Sequence, residues 1–257
     1  MTMADVSSRR YVTVPVTTLW SSPTSPRDVD AAAVAPDPDV VAWLADLDAA
    51  AARLGLRGRA LTQLEPGEPV DIIDDPDNGW LRVVAPMQPC TLDPRGYPGW
   101  LPAAHVSAQA PDRSPLAPTP ASLEAGRSAE AFIAAARKRL GLAHLWGGMC
   151  DWALDCSGLV HLCLRRLGVV FPRDADDQYD ACEHVSGADA RPGDLYFFAH
   201  EGKRPHHVGI VTGPGRMLHA PETGSSIVEE ALTPDRRNSL TGAGRVPALE
   251  RGEGLTE

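Results

Sequence analysis

The chain has 257 residues, a formal net charge of −10 at pH 7 and 43% hydrophobic residues, enough for a sizeable core in one large or two modest domains. The acidic balance argues against nucleic acid or an anionic membrane surface as a partner, and no stretch approaches the roughly 18 apolar residues of a membrane span. The five cysteines, Cys90, Cys150, Cys156, Cys163 and Cys182, include no CxxC pair and fit neither a disulfide framework nor a zinc site; with no nucleotide-binding loop in the sequence either, no cofactor is expected. The opening residues MTMADVSSRRYVTVPV lack the apolar segment of a secretory signal, which predicts a cytoplasmic, reduced protein.

Short β-type runs come first: RYVTVPVTTLW, EPVDIID, GWLRVVAP and GYPGWLP. The Asn-Gly of DDPDNGW predicts a hairpin between Val70–Ile73 and Trp80–Val84. One helical segment interrupts them from Asp39 to Leu54, where apolar residues recur every three or four positions. Short strands with tight turns predict a small barrel carrying a helical insertion, over residues 8–107. Residues 108–122, AQAPDRSPLAPTPAS, hold four prolines and no apolar periodicity, the composition of a semi-rigid linker.

The second half, 123–250, opens with a helix from Ser128 to Leu140, with Ser128 as N-cap. LDCSGLVHLCLRRLG follows, its leucines at helical spacing and Gly168 as a stop. A short helical piece over Asp174–Ala181 precedes four β-like runs, DLYFFAH, HHVGIVTG, RMLHAPE and SIVEEAL. Helices followed by strands predict an α+β fold. The tail after Arg251 is expected to fray.

Cys156 falls at the start of its helix, after Asp155 and before Ser157, both residues of the helix-cap type. The unpaired N–H groups and positive dipole there favour a thiolate; the alternative for this stretch alone is a small buried cysteine beside a cap. A cysteine nucleophile needs a base, and the base needs a group to hold its ring. His207 opens a predicted strand and His219 lies on the next one, a spacing that suits neighbouring antiparallel strands joined at Gly213–Gly215. His206 would point to the opposite face, His161 and Cys163 lie further along the helix, and Arg173 suits either a substrate carboxylate or a surface ion pair.

In order, LWGG, LDCSGLV, FPRDADDQ, RPGDLYFF, HVGIVTG and MLHAP resemble the NlpC/P60 family of papain-like cysteine peptidases. The resemblance implies a papain-like catalytic domain that cleaves the γ-D-glutamyl–diamino acid bond of peptidoglycan stem peptides. It implies Cys156 as nucleophile, His207 as base and His219 as the residue orienting it, with Asp155 and Ser157 on the substrate side. Many members have tyrosine where this chain has His144, a position that borders the cysteine. The first half is similar to the SH3-like modules joined to cytoplasmic members, which implies release of L-Ala-γ-D-Glu from short peptides with a free N-terminus, in murein recycling. Tyr97 of GYPGWLP is then the candidate substrate contact of that module, its alternative being a turn aromatic packed on Trp100. An ammonium group would want a carboxylate nearby; Glu65 and Glu68 are the acids on offer, and Leu61 stands where some relatives place one. Against this reading stand an amidase or acyltransferase of the same fold and a non-catalytic peptidoglycan-binding protein.

Overall fold

The computed structural model describes residues 9–110 and 126–249. The linker expected over 108–122 lies outside them from position 111 on, as does the tail after Arg251. The chain divides into two compact units, Met1–Leu116 and Ala117–Glu257.

The first unit has seven strands: β1 (Arg9–Val12), β2 (Thr17–Trp20), β3 (Ala60–Leu64), β4 (Pro69–Asp74), β5 (Trp80–Ala85), β6 (Tyr97–Pro102) and β7 (Val106–Ser107). They form one antiparallel sheet in the order β3-β2-β6-β5-β4-β1-β7. Alternate residues Leu81, Val83 and Ala85 bury with Val70, Leu64 and Leu101 in a single apolar cluster. The β4–β5 hairpin forms as expected, with Asp77 at φ 54° and Gly79 at φ 84° and the Asn78 side chain accepting the Trp80 N–H at 3.1 Å.

Between β2 and β3 lie α1 (Ala31–Val34) and α2 (Val40–Ala49). Asp39 caps α2 by accepting the Ala42 N–H at 2.9 Å. Asp30, fully buried, accepts from Trp43 Nε1 at 2.9 Å and from Arg27, which docks the helix. The helix stops at Ala49, five residues before the expected end, because Ala51 turns left-handed at φ 50°. No glycine or proline in the sequence marks that stop.

The second unit runs α3 (Ala129–Arg137), β8 (Ala143–His144), β9 (Met149–Cys150), β10 (Ala153–Leu154), α4 (Cys156–Arg166), α5 (Ala175–Asp180), β11 (Glu183–Val185), β12 (Leu195–Phe198), β13 (His207–Gly213), β14 (Arg216–His219), β15 (Val228–Ala231), α6 (Pro234–Ser239) and β16 (Leu240–Arg245). Six strands form a sheet in the order β11-β16-β12-β13-β14-β15, and β8, β10 and β9 make a small second sheet. Ser128 caps α3 through the Ala131 N–H at 3.1 Å. Helix α4 is buried from Ser157 to Arg165. Its leucines pack with Phe132 of α3 and with Phe197, Val208, Ile210 and Leu218 of the sheet in one core. A helix enclosed this way holds its first residue rigidly.

Strand β16 is absent from the sequence expectation, because LTGAGR has little β propensity. Its glycines answer to packing. A Cβ on Gly244 would lie 2.5 Å from the Cys182 Cβ and 3.1 Å from the Phe197 ring, so only glycine lets β16 pair with both β11 and β12 at this point. Gly244→Ala is expected to lower stability by about 1–3 kcal/mol, the range for an over-packed core site, with urea unfolding as the measurement; an unchanged midpoint would contradict the close approach.

Candidate active site

The N-terminus of α4 is built by three separate stretches of sequence. Asp155 is the N-cap, its Oδ1 accepting the Gly158 N–H at 2.6 Å. The same carboxylate accepts the Gly147 N–H at 2.9 Å, the Ser157 hydroxyl at 3.3 Å and both terminal nitrogens of Arg173, at 3.0 and 2.7 Å. Arg173 is 1% exposed; it also donates to Ser157 Oγ at 2.9 Å. This corrects both sequence readings of Arg173: it is a buried ion pair holding the helix start, neither a substrate contact nor a surface pair. Gln178, buried, donates to the Ser157 and Pro172 carbonyls at 3.0 and 2.9 Å. With five donors on its carboxylate, Asp155 serves the scaffold of the site.

Cys156, the first residue of α4, is half-buried. Its side chain packs against the core cluster that contains Val208, the residue that follows His207. Burial, and then the Asp155 charge, push the thiol up to about 11, against the opposing pull of the Val208 and Ser157 N–H groups and of Arg173. Desolvation thus opposes the thiolate that the helix start favours.

His207 begins β13 and His219 ends β14, 5% and 1% exposed. His207 Nε2 lies 2.9 Å from His219 Nδ1, with the rings edge to face at 81°. His219 Nε2 lies 3.2 Å from Glu230 Oε1 on β15. A Cβ on Gly209 would stand 2.5 Å from the Met217 sulfur and 3.3 Å from the His219 Cβ, so glycine keeps β13 and β14 in close contact here. Burial drives His207 well below the ordinary histidine value of 6.5, and the charges of Arg236, His219, His206 and His144 add to the effect. Burial likewise lowers His219 to about 4, although Glu230 pulls it upward. Both rings are neutral at pH 7.

Other expected residues take varied places. His144, 5% exposed, pairs with Leu154 two residues before the cysteine, and its charge would act on both His207 and His219. Tyr97 is a strand residue whose ring is buried in the apolar cluster of the first unit. Three positions from Trp100 on β6, it faces the opposite side of the sheet, so the packing on Trp100 does not occur. Glu68 is buried, accepting the Glu65 N–H at 3.1 Å and Gln88 Nε2 at 2.9 Å, while Leu61 packs against the same unit's core. His161 bonds the Phe171 carbonyl through Nδ1 at 2.8 Å, Cys163 is in the core, and His206 stacks on His200 outside it. Sequence reasoning missed Glu230 and the role of Arg173; strand alternation across a β14–β15 pair was the available signal for Glu230.

Removing Arg173 leaves Asp155 as a poorly compensated charge at the helix start. Arg173→Met is expected to destabilise the protein by about 3–5 kcal/mol, the range for breaking one partner out of a buried pair, read by urea unfolding. A loss under about 1 kcal/mol, the range of surface pairs, would overturn the structural assignment.

The NlpC/P60 family model matches residues 141–242. The chain is 32% identical to the gamma-D-glutamyl-L-lysine dipeptidyl-peptidase of Bacillus subtilis strain 168, over 85% of this chain and 92% of that protein. It is 25% identical to the protein of the same name from Bacillus cereus, over 86% of this chain and 85% of that one. A crystal structure of an NlpC/P60 family protein from Bacillus cereus superposes with a TM-score of 0.82 at 24% identity, covering 93% of this chain and 99% of that one. A half-buried cysteine at a helix start, two linked histidines on adjacent strands and these likenesses converge: the chain belongs to the NlpC/P60 family of cysteine peptidases.

Proposed function

We propose that this peptidase hydrolyses the γ-D-glutamyl–diamino acid bond of peptidoglycan stem peptides, releasing L-Ala-γ-D-Glu from short peptides with a free N-terminus. The observation that carries the reading is Cys156 at the start of α4, packed against the core cluster that contains Val208, next to His207, whose ring lies 2.9 Å from His219. Two relatives that match most of the chain, both units included, bear the name gamma-D-glutamyl-L-lysine dipeptidyl-peptidase. On this reading the first unit is an SH3-like module and the enzyme serves murein recycling in the cytoplasm. Among the described residues, no helix is long and apolar enough to cross a membrane.

In the proposed reaction the Cys156 sulfur attacks the γ-carbonyl carbon of D-Glu as its proton passes to His207. The N–H groups at the start of α4 receive the carbonyl oxygen as it takes up charge. His207 then gives the proton to the leaving amine, which departs as the C–N bond breaks and leaves a thioester. Water, deprotonated by His207, attacks the thioester, and the proton returns to the sulfur as the acid leaves. The raised thiol and lowered imidazole mean that the proton moves during attack, from a neutral pair. His144, near both rings, and Ser157, beside the nucleophile, are the proposed substrate-side contacts. Tyr97 is left out of this reading because its ring is packed in the first unit's core.

Mass spectrometry of L-Ala-γ-D-Glu-diamino acid tripeptides, free or N-acetylated, tests the proposal. Release of L-Ala-γ-D-Glu from the free peptide alone, abolished in Cys156→Ala, is the expected result; cleavage of both would make the enzyme an endopeptidase, and cleavage of neither would sink the substrate assignment. The base must be neutral to accept the proton, and its folded value lies well below 6.5. Activity should therefore persist below pH 6.5 and fall only at more acid pH, as kcat/KM titration would show; an acid limb above 6.5 would contradict this burial-driven shift.

A further inference from the structure

Glu230 stands outside the Cys156–His207–His219 reading, yet it ends the chain of hydrogen bonds. Strand β15 pairs with β14 so that Val228 lies opposite His219 and Glu230 opposite Met217. Alternation then puts Glu230 on the His219 side, while its neighbour Glu229 binds Arg137 of α3 at 2.8 Å. Two adjacent glutamates thus have separate duties, and only Glu230 touches a histidine.

A carboxylate accepts hydrogen bonds, so the contact at 3.2 Å places the His219 proton on Nε2. Neutral His219 then has a lone pair on Nδ1, 2.9 Å from His207 Nε2. His207 must donate there, which puts its own proton on Nε2 and a lone pair on Nδ1. Each tautomer follows from the one before it. We propose that Glu230 is a positioning residue that fixes the tautomers of both histidines and thereby leaves His207 Nδ1 as the proton-accepting nitrogen for Cys156. This rests on the reading of Cys156 and His207 as nucleophile and base. A donor in place of Glu230 would reverse the series: His219 would carry its proton on Nδ1, and His207 would carry its own on Nδ1, where the thiol proton has to go. Protonating His219 has the same effect. Burial and Arg236 of α6 oppose that protonation, with His144 of β8 adding a smaller push and Glu230 acting the other way.

The test uses the full chain, nitrogen-15 imidazole NMR and the rate at which iodoacetamide alkylates Cys156, neither of which needs the peptide substrate. In the native protein, protons on His219 Nε2 and His207 Nε2 are expected. Glu230→Gln, which still offers an oxygen, should keep both signals and alkylate within about threefold of native; Glu230→Lys should move the His207 proton to Nδ1 and slow alkylation by about tenfold or more, toward the roughly hundredfold that a general base contributes. With an active peptide assay, the loss should fall on kcat and leave KM unchanged. A native His219 protonated on Nδ1, or a folded Glu230→Lys with native tautomers and native alkylation, would overturn the inference, and the native spectrum alone decides it if Glu230→Lys does not fold. If no peptide is cleaved while this alkylation pattern holds, the substrate proposal fails and the role of Glu230 stands.

Discussion

The buried pairing of Asp155 with Arg173 is the constraint on which the rest of the site depends. A helix N-terminus leaves four N–H groups without intrahelical partners, and here a carboxylate serves one of them while also gripping the Gly147 N–H. A charge so placed needs a counter-charge within reach, and Arg173 supplies it from the stretch before α5. Three motifs far apart in sequence are thereby tied at one point, immediately beside the cysteine. Glycine at 148 and 158 completes the knot, since a Cβ on Gly158 would collide with the Gly148 carbonyl oxygen. The same carboxylate raises the thiol, so the device that fixes the position of Cys156 also disfavours its ionised form.

The other half of the site is organised by sheet register. Residues of β13, β14 and β15 that alternate onto one face bring His207, His219 and Glu230 into a line of hydrogen bonds. Severe burial keeps its inner end neutral, while its outer end, Glu230, reaches solvent. Chemistry in this arrangement depends on where protons sit within neutral rings, which is a matter of geometry more than of net charge.

Much of this was legible in the sequence where short-range rules apply. The Ser128 and Asp155 caps, the helix from Cys156 to its stop at Gly168 and the Asn-Gly hairpin all follow from local stereochemistry, as does the pairing of the strands that carry His207 and His219. What escaped reading depends on distant neighbours. Strand β16 is glycine-rich because Cys182 and Phe197 crowd it, and the early end of α2 rests on an alanine in an uncommon conformation. Arg173 is charged by composition yet buried by its partner. The balance at the Cys156 thiol could not be read from a helix start alone, because desolvation by the folded core acts against it.

Strand β15 lies at the edge of its sheet beside β14, and on its other side only the residues just before it are held, by Gly141, Leu142 and His144. Edges open at lower free energy than sheet centres, through local excursions that leave the core intact. Glu230 leaves His219 whenever that strand frays, while the capped helix carrying Cys156 remains folded. An opening of that edge would part Glu230 from His219 without touching the Asp155–Arg173 pair that holds α4, so the two halves of the site rest on separate parts of the fold.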